Sequence, residues 1–306
     1  MSDDSNDRSR MASTPLRDPE PAAPGTWRVA SYNVENYLDG TSPKGRVKSA
    51  ESKAAVREGI RAMNPDVLAL QEMGGVATLL ELRDSLSAEG ADYPYWEHVK
   101  GADADLHLAI LSKFPFADRR PRNNDSFNLS GRRFQVRRGF GEVDIRISSD
   151  FSFTLVTAHL KSRNATPEAD ASELRLEEAR LLRTRIDALF AGNPNTNLIV
   201  LGDFNDSPES AVVRTIIGQD QHRLIDTCPA ERNGAGFRVG SSVSASGKGA
   251  WTNFFLEKGE YSRFDYILVS PAMAPSLTAG GSFVLDVPNW ATASDHRPIA
   301  ASFRTR

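Results

Sequence analysis

Cysteine and long apolar runs are the scarcest features of this sequence. Cys228 is the only cysteine among 306 residues, so no internal disulfide can form and a disulfide-stapled secreted scaffold is excluded. No apolar run approaches the roughly 20 residues of a membrane-spanning helix. The first 25 residues contain no apolar segment of the kind found in a signal peptide. These absences predict a protein without a membrane span and with a cytoplasmic location.

An excess of charge of one sign is also lacking. The net charge is -3 and the isoelectric point is about 6.0, so the chain as a whole is not basic like many nucleic-acid-binding proteins. A local basic patch could still bind a polyanion. Residues 1–25, rich in Ser, Asp, Arg and Pro, are predicted to form a disordered tail. Residues 26–306 contain no repeat or linker and are predicted to form one domain, which we expect to be a monomer.

Hydrophobic periodicity predicts alternating strands and helices. Predicted strands cover 27–34, 66–72, 106–115, 141–147, 153–160, 264–270 and 298–303, together with the apolar run that begins at Leu198. Predicted helices cover 49–63, the residues after Gly75 up to Leu86, 168–190 and 208–217, and a Gly/Ser-rich loop covers 234–249. Because a hairpin interrupts the alternation, we predict an α/β (α+β) fold with two packed sheets and helices outside.

Several apolar strands end in polar side chains that a protein core does not favour. The run "LIVLGDFND" at 198–206 leads into Asp203 and Asn205, and Gly202 lets the backbone turn or approach a neighbour closely. Five similar transitions involve Asn33 and Glu35, Gln71 and Glu72, His159, Asp265, and Asp295 with His296. Taken one at a time, each of these polar residues has an ordinary structural explanation: a turn, a helix cap, a buried core histidine or an ion pair. Together they predict one cleft built from distant segments.

The motifs at these positions resemble those of the endonuclease/exonuclease/phosphatase superfamily, the deoxyribonuclease I-like phosphohydrolases. In chain order they are "YNVEN" (32–36), "ALQE" (69–72), "ILSKFP" (110–115), "TAHLKS" (157–162), "LGDFN" (201–205), "FDYILVS" (264–270) and "SDHRP" (294–298). The resemblance covers about residues 27–303. It implies a four-layer sandwich, in which two mixed sheets pack face to face between helices. It also implies Mg²⁺- or Mn²⁺-dependent hydrolysis of a phosphate ester.

The resemblance implies a metal site of oxygen ligands. Glu72 would be the main metal carboxylate, with Asn33 and Asp295 close by or bonding through water. Mg²⁺ is a hard cation that prefers such oxygens and keeps several waters, so one or two protein carboxylates suffice. The sequence has no Cys/His cluster, which argues against zinc.

The resemblance also implies the catalytic roles. Asp203 would orient and deprotonate the attacking water, and Asn205 would hold that water or a phosphate oxygen. His296, steadied by Asp265, would donate to the phosphoryl group, and His159 would donate to it or to the leaving oxygen. The chemistry fits these residue types, because attack on a phosphodiester needs a base for water and donors for the anionic oxygens.

A basic segment suggests the substrate. Seven arginines stand between 119 and 138 against one acidic residue, Asp125, and Phe127 and Phe134 lie among them; the arginines are Arg119, Arg120, Arg122, Arg132, Arg133, Arg137 and Arg138. Such clusters bind phosphate backbones and aromatic rings stack bases, so Arg133 and Arg138 are candidate substrate-binding residues. The alternative is a solvated surface whose arginines pair with acidic residues elsewhere.

Three further residues near the motifs are candidates for substrate contact. Lys161 and Arg163 follow His159 and could neutralise a second phosphate, or be ordinary surface cations. Asp105 alternates with His107 along a predicted strand and could support His159 as its carboxylate partner. An equally good explanation is that Asp105 and His107 are two polar residues on a strand edge.

Three functions remain open. The first is a metal-dependent nuclease with nucleic acid as its substrate. The second is a phosphatase or phosphodiesterase acting on inositol phosphates, phospholipid head groups or other small phosphate esters. The third, a binding module that has kept the fold without turnover, normally lacks a base or a metal ligand, and this sequence has both.

Overall fold

The computed structural model describes residues 25–40, 45, 47–231, 250–286 and 290–305. The predicted Gly/Ser-rich loop at 234–249 lies outside these residues, as does the predicted tail except for its last residue, Gly25. No helix in the described part of the chain is long and apolar enough to cross a membrane.

The helices begin close to the predicted positions because polar side chains cap them. Ser49 accepts a hydrogen bond from the Ser52 N–H at the first helix, and Asp170 accepts from the Ser172 and Glu173 N–H groups at the third. In the described residues the helices are α1 (Ala50–Met63), α2 (Val76–Ala88), α3 (Ala171–Gly192), α4 (Ala211–Ile217) and α5 (Trp290–Ala293). The cap at Asp170 explains why α3 starts three residues after the predicted Glu168.

The predicted strands all form, and further short strands join them. In chain order the strands are β1 (Thr26–Tyr37), β2 (Val67–Met73), β3 (Tyr95–Val99), β4 (His107–Ser112), β5 (Phe116–Arg119), β6 (Ser126–Leu129), β7 (Arg132–Gln135), β8 (Phe140–Arg146), β9 (Ser152–His159), β10 (Leu198–Asp203), β11 (Ile225–Asp226), β12 (Ala230–Glu231), β13 (Asn253–Phe255), β14 (Glu260–Ser262), β15 (Asp265–Val269), β16 (Leu277–Val284) and β17 (Ile299–Arg304). The predicted hairpin is β8 and β9, which pair antiparallel.

The described strands form two large mixed sheets, which confirms the predicted fold class. One sheet has the order β12-β16-β17-β1-β2-β4-β3, and the other has the order β11-β15-β10-β9-β8-β5. The β1–β2 and β9–β10 pairs are parallel, while their outer neighbours are antiparallel. The β6–β7 hairpin and the β13–β14 hairpin stand apart from both sheets.

The core has three apolar layers, and alternate residues of each central strand point into different layers. Ile199 and Leu201 of β10 pack between the two sheets, whereas Leu198 and Val200 face α3 and α4. Helices α1, α2 and α5 cover the outer face of the other sheet. Strand β10 is therefore buried on both faces, as its unbroken apolar sequence predicts.

Candidate active site

The centre of the site is a row of three side chains across the second sheet. Asp203, the last residue of β10, is in register with His159 of the parallel strand β9 and with Asp265 of the antiparallel strand β15. His159 Nε2 lies 3.5 Å from Asp203 Oδ2. All three side chains are buried. The sequence-predicted catalytic residues of these strands thus meet at one sheet end.

His296 enters this row from the segment before β17. Its Nδ1 lies 2.8 Å from Asp265 Oδ2, and its Nε2 lies 3.6 Å from Asp203 Oδ2. Burial opposes the charged ring, but the Asp265 and Asp203 carboxylates and the hydrogen bond that the ring donates to Asp265 raise the pKa of His296 well above its ordinary value. His296 is therefore an imidazolium at neutral pH, with Nε2–H available as a donor.

Asp203 accepts hydrogen bonds at both oxygens. Oδ1 accepts from the Asn205 N–H at 2.8 Å, and Oδ2 accepts from Asn33 Nδ2 at 2.9 Å. Burial raises the pKa of the Asp203 carboxyl, His296 lowers it, Asp265 raises it, and the net effect is a raised pKa. A carboxylate with a raised pKa is a stronger base than a solvated one, which suits proton abstraction from water.

Gly202 is required for the close approach of β10 to β9. Its φ is +138°, and a Cβ atom at this position would lie 1.9 Å from the carbonyl oxygen of Ala158. No other residue fits between the strands without moving the backbone that carries Asp203. The glycine of the motif is thus explained by close backbone approach.

Irregular backbone places Asn33 and Glu72 at the ends of β1 and β2. The β1–β2 register shifts between Asn33 and Tyr37, and Glu72 has a φ of 62° where the β2–β4 register shifts. Bulges of this kind redirect a side chain at a sheet end. As a result Glu72 Oε1 accepts from Asn33 Nδ2 at 3.3 Å, and Oε2 accepts from the Asn36 N–H at 3.0 Å.

Asp295 reaches the same end of the first sheet. Its N–H donates to Glu35 Oε2 at 3.0 Å, and the neighbouring Ser294 hydroxyl donates to the Asn33 carbonyl oxygen at 2.7 Å. Glu35 is a residue that the sequence analysis noted at a strand end without giving it a role. Its φ of 45°, in a stretch that reads as a strand, is a feature no periodicity argument detects.

Two groups of side chains could hold a metal ion. Ligand atoms of Asp203, Asp265 and His296 lie within 4.8 Å of one another, but this imidazole is already hydrogen-bonded to Asp265. The second is the pair that the family resemblance implies, the half-buried Glu72 carboxylate and Asp295, whose oxygen donors suit a hard divalent cation. The side-chain amide of Asn33 donates to the carboxylates of Glu72 and Asp203, so Asn33 orients these two side chains.

His159 differs electrostatically from His296. Burial, Arg138 and His296 together lower its pKa well below the ordinary value, so it is neutral at neutral pH. Nδ1 of the buried ring has no hydrogen-bond partner among the described residues. A neutral ring can donate one N–H to a phosphate or leaving-group oxygen without adding charge.

The predicted partnership of Asp105 with His159 is wrong. Asp105 is exposed and precedes β4, which begins at His107, so it does not share a strand face with that residue. The reason is a turn in which Asp103 Oδ1 accepts the N–H groups of Asp105 and Leu106. Asp103 also lies 3.8 Å from Nε of the buried Arg138.

The basic segment divides into two parts. Arg120 forms ion pairs with Asp118, Glu142 and Asp144. It therefore has the structural role that was the alternative to substrate binding. Arg133, by contrast, lies on an open groove of about 750 Å³; its lining includes Phe127, Arg132, Arg133, Phe134, Arg137, Lys161, Glu168 and Glu178.

The remaining predicted substrate residues lie next to the catalytic row. Arg138 is buried, and its Nε and Nη1 atoms have no hydrogen-bond partner within the described part of the chain. Arg163 Nε donates to the Asn205 carbonyl oxygen at 3.3 Å, and its Nη2 lies 3.0 Å from Asp206 Oδ1. The Asn205 side chain donates to the Leu160 carbonyl oxygen at 3.0 Å.

Comparisons with known proteins show which proteins this chain is similar to. The chain is 29% identical to Nocturnin of Drosophila melanogaster over 208 residues, which are 65% of this chain and about a third (31%) of that protein. D. rerio TDP2 complexed with single-strand DNA product has a similar fold (TM-score 0.59, 18% identity, 92% of this chain and 99% of that chain). Sphingomyelinase C from Streptomyces griseocarneus is equally similar (TM-score 0.60, 17% identity, 91% and 99%).

These structural likenesses establish the fold and leave the substrate open. A family model decides the membership, because it matches residues 30–296 and so includes all of the polar strand ends from Asn33 to His296. Members of that family are hydrolases of phosphoester bonds and generally depend on a divalent metal. This chain belongs to the Endonuclease/Exonuclease/phosphatase family.

Proposed function

We propose that this protein is a Mg²⁺- or Mn²⁺-dependent nuclease that hydrolyses phosphodiester bonds of nucleic acid, acting as a monomer. The observation that carries the proposal is the convergence of Glu72 and Asp203 on the Asn33 amide, with His296 beside Asp203. The proposed metal-binding carboxylate and the proposed buried base thus share one amide donor, and a metal-assisted attack of water would need these two groups close together.

Asp203 is the proposed general base. It takes a proton from a water aligned with the scissile phosphorus, and the Asn33 and Asn205 N–H groups hold the carboxylate in place during this step. Asn205 has a second side-chain N–H and an amide oxygen with which it can hold the water. General-base assistance of this kind contributes about 10²–10⁴-fold to the rate.

The two histidines stabilise the charge that develops on the phosphoryl group. The imidazolium of His296 donates from Nε2 to a phosphoryl oxygen, and Asp265 keeps the ring charged and oriented. The neutral ring of His159 donates to the phosphate or to the leaving oxygen.

Glu72 and Asp295 would hold the divalent cation, with Asn33 orienting the Glu72 carboxylate. When bound, the cation withdraws charge from the phosphate and the leaving oxygen. Oxygen ligands and the half-buried position of Glu72 suit Mg²⁺ or Mn²⁺.

Nucleic acid is proposed as the substrate because of the positive side chains next to His159. Arg133, Arg137 and Lys161 line the groove, and the buried Arg138 guanidinium carries unpartnered donors among the described residues. The phosphate backbones of nucleic acids bind such clusters of positive side chains. The D. rerio TDP2 structure with a single-strand DNA product is consistent with this choice.

A substrate panel in Mg²⁺ tests the proposal, with single- and double-stranded DNA, RNA, phospholipids and phosphomonoesters at equal concentration. We expect nucleic acid to be cut, and EDTA to stop the reaction. Turnover of inositol phosphates or sphingomyelin without cleavage of nucleic acid would identify the chain as a phosphodiesterase of small esters and refute the nuclease proposal.

A further inference from the structure

The β6–β7 hairpin carries a pair of aromatic rings on the groove beside the catalytic row. Phe127 and Phe134 are directly opposite each other in the hairpin, with ring centroids 5.8 Å apart and planes 19° from parallel. Both residues are only half-buried and both line the groove. The Arg132 guanidinium lies 5.8 Å from the Phe134 centroid. Part of each ring therefore borders the groove, where a planar group could contact it.

A single carboxylate fixes the distance between this groove and the catalytic row. Glu178 of α3 accepts the Lys161 N–H at 2.6 Å and the Arg137 N–H at 3.3 Å. Lys161 follows His159 by two residues, and Arg137 follows the end of β7 by two residues. Glu178 therefore ties the segment that follows β7 to the segment that follows His159, and both segments contribute to the groove lining.

The charge of the groove suits an anionic ligand. Its lining carries the cations Arg132, Arg133, Arg137 and Lys161 and the acids Glu168 and Glu178. Glu178 is buried, and its two carboxylate oxygens accept backbone N–H groups of Arg137 and Lys161. Burial is the main cause that lowers the pKa of Lys161 to about 8, and the nearby Arg138 and Arg137 guanidinium groups lower it further.

We propose that the groove binds an unpaired nucleobase stacked on Phe127 and Phe134, with the adjoining phosphate at Arg137 and Lys161. This subsite lies on the His159 side of the scissile phosphate. The proposal rests on the nuclease function proposed above and narrows its substrate to single-stranded nucleic acid, because a base inside a duplex has both faces covered. Base–aromatic stacking with a basic groove is a common way of holding single strands.

The test uses Phe127→Leu and Phe134→Leu, which keep an apolar side chain and remove the aromatic face. Each variant is assayed on a single-stranded oligonucleotide, on its duplex and on a fully abasic strand of equal length. We expect each substitution to raise KM for the single strand at least about fivefold, the lower end of one base–aromatic stack. The rate on the abasic strand should stay within about twofold of wild type, and wild type should prefer the single strand to the duplex.

Phe116→Leu is the matched control. Phe116 is also half-buried beneath an arginine, since Arg119 lies 4.9 Å from its ring, but it is on β5, opposite Ile145 and away from the catalytic sheet end. The Phe116→Leu variant should cleave the single strand, the duplex and the abasic strand at wild-type rates.

Three results would overturn the inference. If the leucine variants keep the wild-type KM, or if wild type cleaves the abasic strand as efficiently as the normal one, no base is stacked, while the nuclease function stands. The second comparison needs no variant and so decides even if a substitution unfolds the hairpin. If wild type cleaves no nucleic acid at all, the proposed function fails and the inference fails with it.

Discussion

The side-chain amide of Asn33 lies 2.9 Å from Oδ2 of Asp203, although 170 positions separate the two residues. Asn33 belongs to the first sheet and Asp203 to the second, so this hydrogen bond crosses the interface between the sheets. Because the same amide nitrogen also donates to Glu72, the candidate metal carboxylate and the candidate base share one donor. The site is therefore a product of sheet packing, and its testable consequences follow from these contacts.

Replacing Asp203 with asparagine should lower kcat by about 10²–10⁴-fold, because the general base is lost while the side-chain shape is kept. Since burial opposes the charged carboxylate, the variant should unfold at the same temperature as wild type or a higher one. Steady-state kinetics and a thermal melt measure the two effects. Near-normal turnover would remove Asp203 from the base role.

Replacing Asp265 with asparagine should move the alkaline limb of the pH–rate profile to lower pH. In wild type the carboxylate holds the pKa of His296 above its ordinary value, so the imidazolium survives beyond neutral pH. Without it the ring loses its proton as the pH rises through a lower value, and the donor charge is lost there. An unchanged profile would show that His296 protonation does not limit the rate.

Replacing Glu72 with glutamine should raise the Mg²⁺ concentration for half-maximal activity by about tenfold or more, because a neutral amide is a weaker ligand for a hard cation. Titration calorimetry with Mg²⁺ provides a measurement independent of turnover. Glu81→Gln is the control, since it removes the same charge from an exposed side chain that pairs with Lys53 and accepts from the Ser85 hydroxyl. Equal Mg²⁺ dependence in all three proteins would refute the ligand role.

The affinity for single-stranded substrate should fall as the pH rises through about 8. Burial, Arg138 and Arg137 lower the pKa of Lys161 to about 8, so its ammonium is charged below that pH and neutral above it. We expect KM to rise on the alkaline side in wild type. Lys161→Met should show a high KM on both sides of this pH; a variant that keeps the wild-type pH dependence would show that another group titrates.

Replacing Gly202 with alanine should destabilise the fold by roughly 2–4 kcal/mol, because the added Cβ meets the Ala158 carbonyl oxygen and the backbone φ is unfavourable for other residues. Urea unfolding measures the loss. Gly192→Ala is the comparison, since a Cβ there meets no atom within 4 Å. If both variants were equally stable, β9 and β10 would be able to move apart without lowering the free energy of unfolding.

The sequence predicts best those site residues that end regular, doubly buried strands. Asp203 and His159 are the last residues of β10 and β9, Asp265 is the first residue of the antiparallel strand β15, and the register across the sheet brings the three together. The caps at Ser49 and Asp170 likewise make the helix starts predictable to within three residues.

The rest depends on irregular backbone and on distant partners. Glu72 points into the site because of a bulge with positive φ, which alternation does not encode. Asp105 was misplaced because a local turn at Asp103 precedes the strand. Two of the three acidic partners of Arg120, Glu142 and Asp144, lie on β8 more than 20 residues away, so these two ion pairs could not be inferred from its sequence neighbours.

The β6–β7 hairpin belongs to neither large sheet. Its length and side chains can therefore change without altering the packing that holds Asp203, His159 and Asp265 in line. Insertions or substitutions in the β6–β7 hairpin would change which substrate the proposed nuclease accepts, such as another polymer or a head group. The residues that would cleave the phosphate ester would stay the same. Selectivity and reactivity are, in this architecture, separately evolvable.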